Sequence, residues 1–143
     1  MTLSTIERVF LLQGSELFRQ IPTQELVLVA QLCQEVAFTN GERLIQAGDE
    51  GDCLYIIAAG EVSVIVEGHG QIGVNRAGNV IGEMAIISRN PRSASCVALT
   101  DVTALKITHA DFRSLMEENP AVTLGVLEVI VNRLDDTLQK LRS

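Results

Sequence analysis

The chain has 143 residues, 47% of them hydrophobic, with a formal net charge of −7, 3% aromatics and no Trp. That length and apolar content suit a single folded domain, 1–143, with its own core, and exclude a disordered chain. The negative charge and the scarcity of aromatics argue against DNA, RNA or an anionic membrane as a partner, since these ask for a basic footprint or stacking surfaces. No apolar run approaches the roughly 18 residues of a membrane span, and the N-terminus lacks the basic-then-apolar layout of a signal peptide. Cys33, Cys53 and Cys96 are odd in number and far apart. With no C-x-x-C pair, zinc and dithiol chemistry lack support, and the three read as buried thiols of a reducing, cytoplasmic setting.

The first pattern is helical, over residues 3–13. Ile6, Val9 and Phe10 share a face flanked by Leu3 and by Leu12 or Gln13, Ser4 or Thr5 could cap the helix, Glu7 standing at capping-box distance from Ser4, and Gly14 ends the pattern. Thr23 is the candidate cap of a second helix, 24–33, whose apolar set is Leu26, Val27, Val29, Ala30 and Cys33. From Glu35 to Ile107 the period shortens, and glycines punctuate brief apolar runs. This predicts antiparallel strands at 35–39, 43–46, 53–59, 61–67, 71–76, 95–100 and 102–107, folded as a sandwich or jelly roll. In the last strand Leu105 and Ile107 face one way, and Val102 and Ala104 the other. The acidic loop Gly48-Asp49-Glu50-Gly51-Asp52 lacks the ligand alternation of a calcium loop and reads as a tight turn. His69, in a hairpin tip, and His109 have no neighbouring partners in sequence and receive no role.

Helical pattern returns after Ile107. Thr108 and Asp111 form a capping pair for a helix that buries Phe112, Leu115 and Met116, and Asn119-Pro120 stops it and starts the last helix. There Leu124, Leu127, Val131, Leu134, Leu138 and Leu141 are spaced three and four apart, a short heptad seam. Two uses compete for it, a homodimer seam or packing back over the strands as a lid, because an apolar stripe must be buried somewhere.

The chemistry concentrates at Gly82-Glu83-Met84-Ala85-Ile86-Ile87-Ser88-Arg89-Asn90-Pro91-Arg92-Ser93-Ala94-Ser95. A short helix starting near Glu83 would aim free backbone N–H groups at an anion. Gly82 permits close backbone approach. Arg92 supplies a planar fork of donors that suits phosphate oxygens. Glu83 only accepts, so beside a phosphate it needs donors, and sugar hydroxyls are donors. Ser93, Ala94 and Ser95 are small enough for a ring to rest against them.

This stretch resembles the phosphate-binding cassette of cyclic-nucleotide-binding domains, on Gly82, Glu83, Met84, Ala85, Arg92, Ser93 and Ala94. The Gly-Asp, Tyr55-Ile56-Ile57 and Gly60-Glu61-Val62 run matches the same family, and the resemblance extends from about Val9 to Arg133. It departs at Ile81, where the family often has Phe, and at Ser95, where Thr or Val is common. The resemblance implies a mainly β fold, an antiparallel β-roll, with a helical lead-in at 3–33, the roll at 35–107 and two closing helices at 108–143. It implies cAMP or cGMP as ligand and no other cofactor or metal. Arg92 would hold the exocyclic phosphate oxygens, helped by the N–H groups of Glu83 to Ala85, Ser93 and Ala94. Glu83 would take the ribose 2′-OH, Ser93 the phosphate or a guanine edge, and Met84 would lie along the ring. The last helix would cap the base through Val129, Val131 or a neighbour. The function so implied is a regulatory sensor module, not an enzyme, that passes ligand binding through its C-terminal helices to an effector domain or partner protein outside the chain. Two alternatives stay open: an interaction or dimerisation module with no ligand, and a fragment of a catabolite-activator-type transcription regulator.

Overall fold

The computed structural model describes residues 2–83 and 88–142. Met84, Ala85, Ile86 and Ile87 lie outside the described residues, and with them the short helix expected after Glu83. Two helices, α1 (Thr5–Gln13) and α2 (Thr23–Leu32), precede eight strands: β1 (Gln34–Phe38), β2 (Arg43–Ile45), β3 (Cys53–Ala59), β4 (Val62–Val66), β5 (Gly70–Asn75), β6 (Val80–Ile81), β7 (Ser95–Ala98) and β8 (Val102–Thr108). Two more helices, α3 (His109–Glu118) and α4 (Pro120–Arg142), follow. The strands form two four-stranded antiparallel sheets, ordered β1-β8-β3-β6 and β2-β7-β4-β5. This is the β-roll flanked by helices that the resemblance implied; the glycine-punctuated pattern had indicated antiparallel strands in a sandwich or jelly roll. β6 is an addition to the expected strands; its two residues are too few for a period to be read.

Strand alternation divides the core in two. Leu54 and Ile56 of β3 lie opposite Ile107 and Leu105 of β8, and all four join a cluster with Phe18, Leu26, Val29, Phe112 and Val122. Phe18 and Phe112 meet edge to face at 5.8 Å, a favoured ring geometry. The intervening residues, Tyr55, Ile57, Val102 and Ala104, point the other way and meet Ile45, Val62, Cys96 and Ala98 of the second sheet. The first sheet is thus covered on both faces, by helices outside and by its partner sheet inside.

The helix ends follow their local chemistry. Ser4 accepts from the Glu7 N–H at 3.1 Å while Glu7 accepts from the Ser4 N–H at 3.0 Å, a reciprocal capping box. Thr108 accepts from the Asp111 N–H at 3.1 Å. α2 departs from expectation: Pro22 is its cap residue and Thr23 its first helical residue, with no side-chain cap bond. Asn119 turns its amide back to the Leu115 carbonyl at 3.1 Å, closing α3, and Pro120 opens α4, where its missing N–H is harmless.

Two helix faces differ from the reading of the pattern. In α1 the buried residues are Val9 and Leu12, while Ile6 and Phe10 are 69% and 68% exposed. Apolar residues surround this helix, so the pattern permits more than one buried face, and packing against α2 selects one. In α4 the buried stripe is Val122, Gly125, Val126 and Val129. A Cβ on Gly125 would come within 2.8 Å of the Ile21 side chain and 3.1 Å of the Gln20 backbone, so α4 lies close against the turn after α1. The six heptad residues lie on the opposite side and are all exposed. The seam therefore does not fold back over the strands as a lid.

Candidate functional site

The end of the roll between the two sheets opens into a cleft of about 280 Å³. Its described lining includes Ile45, Val64, Asn75, Val80, Ile81, Gly82, Glu83, Arg92, Ser93, Ala94 and Cys96. Five of the seven predicted site residues, Gly82, Glu83, Arg92, Ser93 and Ala94, therefore meet at one cavity. Met84 and Ala85 fall outside the described residues.

Arg92 is turned into the protein. Its guanidinium donates to the Gly82 carbonyl at 3.2 Å and to the Cys53 carbonyl at 2.6 Å. Guanidinium has five N–H donors, so these two bonds fix its plane and leave donors for an anion. Gly82 has φ +75, and a Cβ there would stand 2.5 Å from Arg92 Nη1 and 3.2 Å from the Cys53 carbonyl oxygen. Glycine is needed both for the left-handed backbone and for the space the arginine occupies. Its role is to seat Arg92, a more specific task than general access for a ligand.

The acidic loop holds the backbone beneath that arginine. The Gly48 N–H donates to the Arg92 carbonyl at 2.9 Å, and the Arg92 N–H to the Asp49 carbonyl at 2.7 Å. The Ala47 N–H donates to Ser95 Oγ at 2.9 Å. A turn that looked generic in sequence is a clamp. Its Gly-Asp belongs to the run that resembles the family, but the clamp itself shows only in the fold, because its partners are some forty residues away in the chain.

Glu83 faces the cleft from the other side and is engaged by α4. Arg133 donates to both of its carboxylate oxygens, at 2.5 and 3.2 Å, and through Nε to Glu16 Oε1 at 2.6 Å. The bond to Glu83 above all drives the Arg133 guanidinium still further from deprotonation; desolvation opposes it, and the bond to Glu16 adds to the rise. One side chain thus ties the lead-in turn, the cassette and the closing helix. Sequence reading missed Arg133, because a lone cation on a helix flank looks like any solvated one. It expected an apolar cap over the base from Val129, Val131 or a neighbour; of the two named, Val129 is buried, Val131 is 46% exposed, and neither lines the cleft.

A second, polar recess of about 320 Å³ adjoins the cleft, lined by Glu16, Asn75, Gly78, Asn79, Val80, Glu83 and Arg133. It shares Asn75, Val80 and Glu83 with the cleft. The thiols at the site are passive: burial pushes the pKa of Cys53 and Cys96 up, opposed only in part by the Tyr55 hydrogen bond, Lys106 and Arg92 at Cys53 and by Arg92 at Cys96. Among the described residues no group of three His, Cys, Asp or Glu converges to hold a metal, and no helix is long and apolar enough to cross a membrane.

Comparison with known proteins points the same way. The family described as "Cyclic nucleotide-binding domain" matches residues 35–119, more than half of the chain. A cAMP-dependent protein kinase regulatory subunit from Debaryomyces hansenii is 36% identical over 71% of this chain and 23% of its own length. The cGMP-dependent protein kinase egl-4 of Caenorhabditis briggsae is 29% identical over 90% of this chain and 18% of its own. The chain therefore spans only a minor part of these relatives. Among solved structures, the N-terminal domain of a transcriptional regulator from Streptomyces coelicolor superposes with TM-score 0.83 at 27% identity, covering 89% of this chain and 94% of that one. The regulatory domain of Toxoplasma gondii PKA, crystallised with cAMP, gives 0.72 at 25% identity over 78% and 44%.

Proposed function

The chain belongs to the cyclic nucleotide-binding domain family, and from that premise we propose that the cleft takes a purine 3′,5′-cyclic monophosphate and relays its binding through α4. The observation that carries this reading is the inward Arg92, seated on Gly82 and held from behind by the 47–51 loop. A guanidinium fixed by two carbonyls is prepaid in conformational entropy, and it supplies local positive charge in a chain of net charge −7. Ser93 and Ala94 follow it as small walls for the phosphate, and Met84 and Ala85 belong to the same proposed set. Glu83 accepts the ribose 2′-OH. A carboxylate has about four lone-pair sites, so Glu83 serves the hydroxyl while Arg133 keeps it oriented. Arg133 is therefore the mechanical link: a change at Glu83 on ligand binding pulls on α4. A ligand moves that equilibrium only by its difference in affinity for the two positions of the helix. An effector domain or partner protein outside the chain reads α4. The module regulates and does no chemistry on its ligand, needs no other cofactor, and works in the cytoplasm.

Calorimetric titration of cAMP and cGMP into wild type and Arg92→Ala tests this. Binding to the wild type that disappears in the variant is the expected result. Failure of both nucleotides to bind at millimolar concentration sinks the reading, and hydrolysis of either would revive an enzyme.

A second reading concerns α4, which is apolar on two sides. We infer that a second copy covers the seam in a parallel pair. The seam keeps heptad spacing, and its first half borders a groove lined by Met116, Val126, Leu127 and Ile130. In an antiparallel pair Glu128 of one copy would face Asp135 of the other, a like-charge contact. In a parallel pair those positions face Thr123 and Ile130. Light scattering should give a dimer that Leu134→Asp splits; a monomer at all concentrations would remove this assignment.

A further inference from the structure

The inner face of the second sheet carries one residue that does not belong to an apolar core. Directly paired residues share a face, so β2, β7, β4 and β5 present Ile45, Cys96, Val64 and Gly73 in one row and Ala98, Val62 and Asn75 in the next. All are apolar or glycine except Asn75. A polar group at a core-facing position asks for an explanation. Its side-chain amide makes no hydrogen bond among the described residues, whereas the charged groups around it are engaged: Glu83 and Glu16 by Arg133, and Arg92 by two carbonyls. Asn79 nearby already accepts from the Arg76 N–H.

Asn75 also stands where a base must go. This step rests on the ligand reading above. With the cyclic phosphate on Arg92 and the 2′-OH on Glu83, the glycosidic carbon, next to C2′, lies on the Glu83 side of the cleft. Asn75 and Val80 are the residues that border Glu83 in both the cleft and the polar recess. Gly73, two residues before Asn75 on the same face, has nothing within 4 Å of where its Cβ would be. The face beside Asn75 is therefore open at Gly73, next to its paired Val64, which lines the cleft.

We propose that Asn75 reads the 6-amino and N7 edge of adenine and so sets a preference for cAMP over cGMP. A carboxamide offers one acceptor and one donor side by side, which matches the N6–H donor and N7 acceptor of adenine. Guanine presents O6 and N7 there, two acceptors, one of which would confront Oδ1 of Asn75.

The test is calorimetry on the full chain with cAMP, cGMP, the 3′,5′-cyclic monophosphate of purine riboside, which lacks the 6-amino group, and 7-deaza-cAMP. Wild type should bind cAMP about ten-fold or more tighter than the other three. Asn75→Leu, whose side chain suits the apolar face, and Asn75→Ser should erase the margin of cAMP over both the purine analogue and 7-deaza-cAMP. Wild type that binds the purine analogue as well as cAMP overturns the proposal, and so does a variant that keeps the margin. Because the analogue series needs no substitution, a variant that fails to fold leaves the test decisive. If cAMP and the purine analogue bind equally, only this assignment falls. If no cyclic nucleotide binds wild type at all, the ligand reading falls with it.

Discussion

The two sheets are built from the same kinds of residue and put them to different uses. β1-β8-β3-β6 is sealed: helices cover Leu54, Ile56, Leu105 and Ile107 on one side, and the partner sheet covers Tyr55, Ile57, Val102 and Ala104 on the other. β2-β7-β4-β5 turns one face to its partner sheet, and that face runs out of side chain at Gly73 and turns polar at Asn75 beside the cleft. On the proposed reading the fold thus divides between a sealed layer that stabilises and a cleft that recognises. Substitutions in the sealed layer should cost stability, and those around the cleft should cost affinity.

The largest effect is expected from Phe112→Ala, which removes a fully buried ring packed on Phe18. It should destabilise the fold by about 3–5 kcal/mol in urea denaturation; a loss under about 1 kcal/mol would mean the sealed layer is not where the stability lies. Gly82→Ala comes next, on the binding side. The left-handed backbone alone costs about 1–2 kcal/mol, and the displaced Arg92 should lower cyclic-nucleotide affinity roughly ten- to a hundred-fold, the worth of a charge-assisted bond. Unchanged affinity in a folded Gly82→Ala protein would contradict the seating of Arg92. Arg133→Ala sharpens the comparison, because the ion pairs it removes are partly exposed. Stability should fall by no more than about 1 kcal/mol, while affinity falls several-fold and hydrogen exchange in α4 no longer responds to ligand. A ligand response in α4 that survives this variant would take away the proposed link.

The smallest effect is a rate. Burial raises the Cys96 thiol above its ordinary value, so the thiolate fraction at neutral pH is low and reaction with iodoacetamide should be slow, speeding only as pH climbs toward and past that raised value. Cys96 lines the cleft, so cyclic nucleotide should slow its labelling further while leaving Cys33 unaffected. Cys33 is buried among α1 and α2 residues, and burial lifts its pKa to about 12. Equal protection of both thiols would point to general tightening of the fold in place of a ligand over Cys96.

Much of this architecture was legible along the chain. Seven of the eight strands, all four helices, the Ser4–Glu7 box and the two faces of β8 rest on periods of two and 3.6 residues and on contacts three residues apart. So does the meeting of Gly82, Glu83, Arg92, Ser93 and Ala94, which lie on one short stretch with glycine, carboxylate and guanidinium in a distinctive order. Residue type and short-range spacing determine these because their partners are near neighbours in sequence.

The tertiary structure alone decided the rest. Apolar residues surround α1 and α4, so the sequence admits several buried faces, and only packing against α2 and the Ile21 turn selects Val9 with Leu12 and Val122 with Val126. Arg133 meets Glu83 and Glu16 across separations of 50 and 117 residues, and Asn75 becomes an inner-face residue only through its register with Val62. Partners that far apart leave no periodic trace in the chain; the closure of the roll brings them within reach of one another.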